Sequence, residues 1–321
     1  MINNPKPSTT LAKSILGCAM ILSLSSPALA TKDTKEKNPD ANEIVVVGQQ
    51  TRTEVIQELI VNQFKVSAGG RNTGQYARFA APICPSVGGL SNEDADKIEN
   101  RIRDIAELGG LLVAADNCSP NLIVVAVENG AHEIESLRKK QHRVFNTMTH
   151  RERDKLIEDG GPVFSWKATQ QMASDSIHAA RTGTIDMKSE GTGPITARGQ
   201  RSHVKSLIKK PEFAGIVYSY LLIENKALSG VSLNQLADYA AIVSLIDINV
   251  KFETTPPPPG SILSLFTEIQ TDQPPPQSIS EGDLLMVRGL YKAAPNVKAP
   301  LQRSAMLHTI NEALERPAPE E

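Results

Sequence analysis

The sequence predicts an α+β or α/β protein in which helices pack on a sheet. Two observations carry this reading. The runs "NLIVVAV" (Asn121 to Val127) and "FAGIVYSYLLIE" (Phe213 to Glu224) are β-branched and continuously apolar, as buried strands are. They alternate with segments whose apolar residues recur at helical spacing, and no internal repeat divides the chain.

Residues 1–30 read as a secretory signal. Lys6 and Lys13 precede an apolar core from Ile15 to Leu24, and the A-x-A-like Ala28, Leu29 and Ala30 predict cleavage after Ala30. An alternative makes Cys18, in "ILGC", a lipoprotein cysteine, but the apolar run continues past it. The core is too short to span a bilayer and no later stretch reaches about 18 consecutive apolar residues. A periplasmic or secreted chain without a transmembrane segment is therefore expected. "TKDTKEKNPDAN" (31–42) has the composition of a disordered leader. "EIVVVG" (Glu43 to Gly48) reads as a first strand, and it also resembles the TonB-box segment that outer-membrane receptors donate to a partner. No barrel of alternating strands follows, which favours the strand.

The chain carries 34 Lys and Arg against 36 Asp and Glu, a net charge of −2. Losing Lys6 and Lys13 makes the balance more negative, which leaves no basic footprint for nucleic acid or anionic membrane. Cleavage also leaves two cysteines, Cys84 and Cys118, expected to pair in an oxidising compartment; two buried thiols are the alternative. No nearby histidine or further cysteine completes a four-ligand zinc set around them.

Thr53 to Val66 predicts a short helix broken by "AGGRNTG". Ser91 caps a clearer one, with acids in its first turn, apolar Ala95, Ile98, Ile102, Ile105 and Leu108 on one stripe, and Gly109 and Gly110 as a stop. The disulfide would staple this helix to the strand after Cys118. Gly130 to Lys140 and Thr149 to Glu158 predict further helices, the second opened by the capping box Thr149 to Glu152. "VFSWKAT" (Val163 to Thr169) reads as a strand that completes an N-terminal α/β part over 43–170. Residues 171–210 are a polar linker or insertion, and 211–321 form a C-terminal strand-helix part. There Ser232 caps a helix over Leu233 to Ile246 with a stripe of Leu233, Leu236, Ala237, Ala240, Val243 and Leu245. Proline runs at Pro256 to Pro259 and Pro274 to Pro276 bracket "GSILSLFTEIQ", and helices over Ser280 to Lys292 and Ala299 to Glu315 close the chain.

Several chemistries have no signature here. The G-x-S-x-G elbow, the P-loop and the dinucleotide fingerprint are missing, which implies no nucleotide cofactor. None of the six histidines, His132, His142, His150, His178, His203 and His308, stands at helical ligand spacing with another. Ser-x-x-Lys occurs three times, beginning at Ser136, Ser202 and Ser206, a frequency that strips the pattern of meaning.

The order of elements in the C-terminal third, with "PPGSILSLF" and "SISEGDLLMVRGLYKAAPN", resembles matrixin-like zinc metalloproteases, best over Ser278 to Tyr291. It is also similar to a group of secreted proteobacterial proteins that keep the closing helix without the zinc motif. The resemblance implies a zincin-like C-terminal part. Where the family has HExxH this chain has "QLADY", Gln235 to Tyr239, so no catalytic residue and no metal ligand carry over. The expectation is an exported, non-catalytic binding protein of the cell envelope, with an envelope or extracellular protein or peptide as partner and Gln235, Asp238 and Tyr239 as candidate cleft residues. The alternatives are a hydrolase using Asp238, Tyr239 or Glu224 as acid or base, and strand donation by Glu43 to Gly48.

Overall fold

The computed structural model describes residues 52–67, 74–140, 142–145, 148–174, 206, 208–252, 256–267 and 274–315. In chain order these form α1 (Arg52–Gln63), β1 (Arg78–Phe79), β2 (Pro85–Gly88), α2 (Asn92–Leu108), β3 (Leu122–Val127) and α3 (Gly130–Lys140). A 3-10 turn at His142–Phe145 leads to α4 (His150–Glu158), β4 (Val163–Ala173) and β5 (Glu212–Glu224). A second turn, Asn225–Leu228, precedes α5 (Leu233–Leu245), a third, Ile262–Phe266, follows it, and α6 (Glu281–Lys292) and α7 (Ala299–Leu314) close the set. The signal, the leader and the Glu43 to Gly48 segment lie outside the described residues.

Three helix starts fall at the predicted caps Ser91, Thr149 and Ser232, and α6, predicted to begin at Ser280, instead uses that serine as its cap. Ser91 Oγ accepts from Asp94 N, and reciprocal capping boxes join Thr149 to Glu152, Ser232 to Gln235 and Ser280 to Asp283. Each box satisfies donors that a first turn otherwise leaves orphaned.

The five strands make one mixed sheet. β2 pairs with β3, β3 with β5, and β1 with the start of β5, all parallel, while β4 lies antiparallel to β5 over its whole length. The strands before and after 171–210 therefore share one sheet. β4 runs on to Ala173, past the predicted end at Thr169. The register skips Val217 between the pairs Ala168↔Tyr218 and Thr169↔Ile216, a bulge on β5. An extra residue reverses which face later side chains occupy. Ala214 and Ile216 before it, and Leu221 and Ile223 after it, consequently share one core.

That core lies between the sheet and the layer α1, α2, α5, α6 and α7. α5 is its centre: all residues from Gln235 to Leu245 are buried, so the predicted stripe widens to the whole circumference. A helix apolar all round belongs in an interior. α3, α4 and the first 3-10 turn cover the opposite face through Ile134, Phe145, Phe164, Trp166 and Leu222. Phe145, Trp166 and Tyr220 stack in succession at 5.1 and 4.9 Å. Gly130 begins α3 directly over the Phe164 ring, where a β-carbon would collide with it. Leu108, placed on the apolar stripe of α2, is 50% exposed at the last residue of the helix.

Cys84 and Cys118 form a disulfide across a separation of 34 residues. It joins the entries of β2 and β3, with Asn121 alongside: its Oδ1 accepts from Cys84 N at 2.9 Å and its Nδ2 donates to Pro82 O at 2.9 Å. The staple thus holds two strand starts together and encloses α2 in the loop, rather than pinning the helix itself. Cys84→Ser combined with Cys118→Ser is expected to lower the unfolding free energy by roughly 3–4 kcal/mol through the freed loop. Urea denaturation checks this, and an unchanged midpoint would show that the staple restrains nothing.

Candidate functional site

The residues singled out on α5 prove to be internal parts of the fold. Asp238 is 0% exposed and accepts from Arg101 Nε at 2.6 Å and Nη2 at 3.3 Å, and from Ile279 N at 2.6 Å. One carboxylate on α5 thereby fastens α2 and the entry to α6. Gln235 closes its capping box and donates from Nε2 to Pro276 O at 2.7 Å. Tyr239 is buried edge-on against Phe266 at 4.8 Å, and burial drives its phenol far above the usual tyrosine range. None of the three borders the cleft described below, so the expected cleft at this helix gives way to packed core.

Glu224, the remaining acid candidate, ends β5. Its Oε1 accepts from Gly130 N at 2.9 Å and its Oε2 meets Lys226 Nζ at 2.6 Å. Lys226 and the Gly130 amide together hold the carboxyl below its ordinary value, with Lys226 the larger influence. A carboxylate capping a helix start is a structural anion.

A cavity of about 910 Å³ follows the outer edge of β4. The floor is β4 itself, whose only strand neighbour among the described residues is β5. One wall is α4, through Glu152, Lys155 and Leu156. The other is a short ribbon of residues 62–67 against 247–251, held by the antiparallel bridge Phe64↔Ile248 and by Lys65 N donating to Asp247 O at 2.8 Å. Lys251 spans one end, with its Nζ donating to Gly160 O and to Asp159 O. Pro162 O accepts from Glu224 N at 2.9 Å, which sets the phase of the ladder. By antiparallel alternation the backbone groups of Val163, Ser165 and Lys167 turn away from β5, toward the outer edge.

Ser165 and Lys167 share the face of β4 that meets the helical layer, and both are buried on the cleft floor. Lys167 Nζ donates to Ser165 Oγ at 3.0 Å. Burial lowers the Lys167 ammonium to about 7, with Lys65 reinforcing the fall and Asp247 opposing it. Near neutral pH this side chain is divided between its charged and neutral forms. Sequence reasoning took "VFSWKAT" as a strand and passed over the pair. The available signal was two polar residues at i and i+2 among Val163, Phe164, Trp166 and Ala168. Among the described residues no group of three His, Cys, Asp or Glu side chains gathers to hold a metal ion, and no helix is long and apolar enough to cross a membrane. Compared with known protein families, curated proteins and solved structures, the chain matches none.

Two outcomes follow from these clamps and this lysine. Asp238→Ala should cost about 3 kcal/mol, since it orphans the Ile279 amide and strips Arg101 of its partner. Chemical denaturation reads this, and a loss within experimental error would remove Asp238 as a fastening. The second outcome concerns pH. Lys167 titrates at 10.5 when unfolded and at about 7 when folded. Between those values the native state binds fewer protons, so this residue makes stability rise with pH across the window, with its full penalty below about 7. Lys167→Met should flatten that rise and gain on the order of a few kcal/mol at pH 6. Parallel pH profiles of the denaturation midpoint for the two proteins would contradict the burial argument.

Proposed function

We propose that this protein is exported and non-catalytic, and that it binds an extended polypeptide segment of an envelope or extracellular partner along the outer edge of β4. The single observation that carries the reading is the long strand β4, which among the described residues pairs with β5 alone and forms the floor of an open cleft. A guest strand adds main-chain hydrogen bonds to such an edge and places alternate side chains against its walls. An acidic side chain in the guest suits Lys167, because a nearby carboxylate restores the charge that burial disfavours. The matrixin-like resemblance enters as a proposal about architecture only. In that comparison α5 takes the place of the zinc-binding helix, with Gln235 and Tyr239 at the histidine positions. The "EIVVVG" segment as a donated strand is a separate proposal; a deletion of Glu43 to Gly48 that leaves every partner bound would end it.

Panning a random-peptide library on the purified protein tests the main reading. Enriched sequences should alternate apolar residues and carry an acid, and their binding should take up a proton at pH 8. Lys167→Met and Gln171→Pro should each weaken it at least tenfold. The proline targets an N–H that faces away from β5, so the sheet tolerates it. Failure of any sequence to enrich, or equal affinity in both variants, would defeat the proposal.

A second reading has one observation in its favour, the Ser165 and Lys167 pair at 3.0 Å. A neutral lysine can accept the serine proton as Oγ adds to an acyl carbon, the carbonyl π pair moving to its oxygen and returning as the leaving group departs. A fluorophosphonate should then form an adduct at Ser165 in the native protein and none in Lys167→Met. An absence of adduct in the native protein eliminates this chemistry.

A further inference from the structure

The disulfide has two unlike halves. Cys84 is 3% exposed at the entry to β2, and its backbone is pinned on both sides: its N–H donates to Asn121 Oδ1 at 2.9 Å, and its carbonyl accepts from Asn121 N at 3.0 Å and Leu122 N at 3.2 Å. Cys118 lies on a surface loop instead. It is half-buried, while Ala115, Asp116, Asn117, Ser119 and Pro120 around it are all exposed. Of the two halves, the one with access to solvent is Cys118.

Arg103, on α2, stands at that half. Its Nη1 donates to Ala114 O at 2.6 Å, which ties the guanidinium to the loop, and its Nη2 donates to Cys118 Sγ at 3.7 Å. The loop over residues 109–120 carries one acid, Asp116, to oppose this cation. Thiol–disulfide exchange begins when a thiolate attacks one sulfur of the bond, and access decides which sulfur is attacked. A guanidinium beside that sulfur attracts the incoming anion, and once the bond is open it favours the thiolate form of the cysteine next to it. Access and charge single out the same atom.

We propose that Cys118 is a thiol-exchange site, the position at which a low-molecular-weight thiol of the glutathione class forms a mixed disulfide with this protein, with Arg103 as the positioning cation. The incoming thiolate donates its electron pair to Cys118 Sγ, the S–S pair departs with Cys84 Sγ, and the Cys84 thiolate takes a proton from solvent. A second small thiolate then attacks the sulfur of the first. That step forms the small disulfide and releases Cys118 as a thiolate beside Arg103, so two small thiols are oxidised and one protein disulfide is reduced. The same steps reversed close the bond: the Cys118 thiolate attacks glutathione disulfide, and Cys84 displaces the adduct. The site lies across β5 from the β4 cleft and is independent of the proposed function.

The purified protein, with its disulfide intact, is incubated with reduced glutathione under native conditions, quenched with acid and mapped by peptide mass spectrometry. Adduct should sit on Cys118 in excess over Cys84 by about tenfold or more, because reactivity follows exposure and thiolate character. Adduct shared evenly, the mark of a bond opened only by global unfolding, overturns the proposal, as does adduct on Cys84 or none at all. The cation is tested by a pH profile. In Cys84→Ser, alkylation followed on the Cys118 peptide should have its midpoint below the ordinary thiol value of about 8.5. Adding Arg103→Gln should restore that value, whereas adding Arg103→Lys should keep the midpoint low, since a cation remains. Equal midpoints in the three proteins overturn the role of Arg103. Should these variants fail to fold, the mapping on the native protein decides alone.

Discussion

Strand β5 hydrogen-bonds along both edges, to β4 on one side and to β1 and β3 on the other, and the remaining architecture depends on that double pairing. A strand with neighbours on both sides and helices on both faces has no wet surface, which is why its sequence is apolar nearly throughout. The bulge at Val217 reconciles this with a strand of 13 residues. Without it, the half that packs on α5 near Ala214 would face the wrong layer by Ile223. Burying β5 also determines what surrounds it. α5 is buried on every side, and the cleft lies at the far edge of β4, where no further strand pairs among the described residues.

Polar side chains in such an interior act as fastenings. Asp238 joins α2, α5 and the start of α6, and Asp283 joins α6 to the 3-10 turn after the first proline run. Burial pushes the Asp283 carboxyl upward, while its four donors pull the other way. In the sequence Asp238 looks like an acid or base candidate, since acids on apolar segments invite that reading. Its oxygens are taken up by Arg101 and the Ile279 amide.

Local rules made much of the fold legible. The caps at Ser91, Thr149 and Ser232 and the stops at Gly109 and Gly110 marked helix ends, because capping is a contact between residues three apart. β3 and β5 stood out by their β-branched runs. β1 and β2 did not, since strands of 2 and 4 residues are too short to show a period. The full burial of α5 was hidden because Gln235, Asp238 and Ser244 interrupt its apolar run, and their partners lie far away in sequence. The cleft was illegible for the same reason. Its walls come from residues 62–67, 149–159 and 247–251, and only the sheet brings them beside β4.

Lys167 and Arg78 sharpen the distinction between a buried cation that can be neutralised and one that cannot. Both are buried on strands that pair with β5, and burial lowers both, to about 7 and about 10. Lysine begins lower and ends at neutrality, so solvent can take its proton and the fold needs no counter-charge. Arginine delocalises its charge and begins so high that the same environment leaves it cationic. Identical desolvation thus has opposite consequences. At the β4 cleft it produces an amine poised between its two protonation states, and at β1 it produces a standing charge.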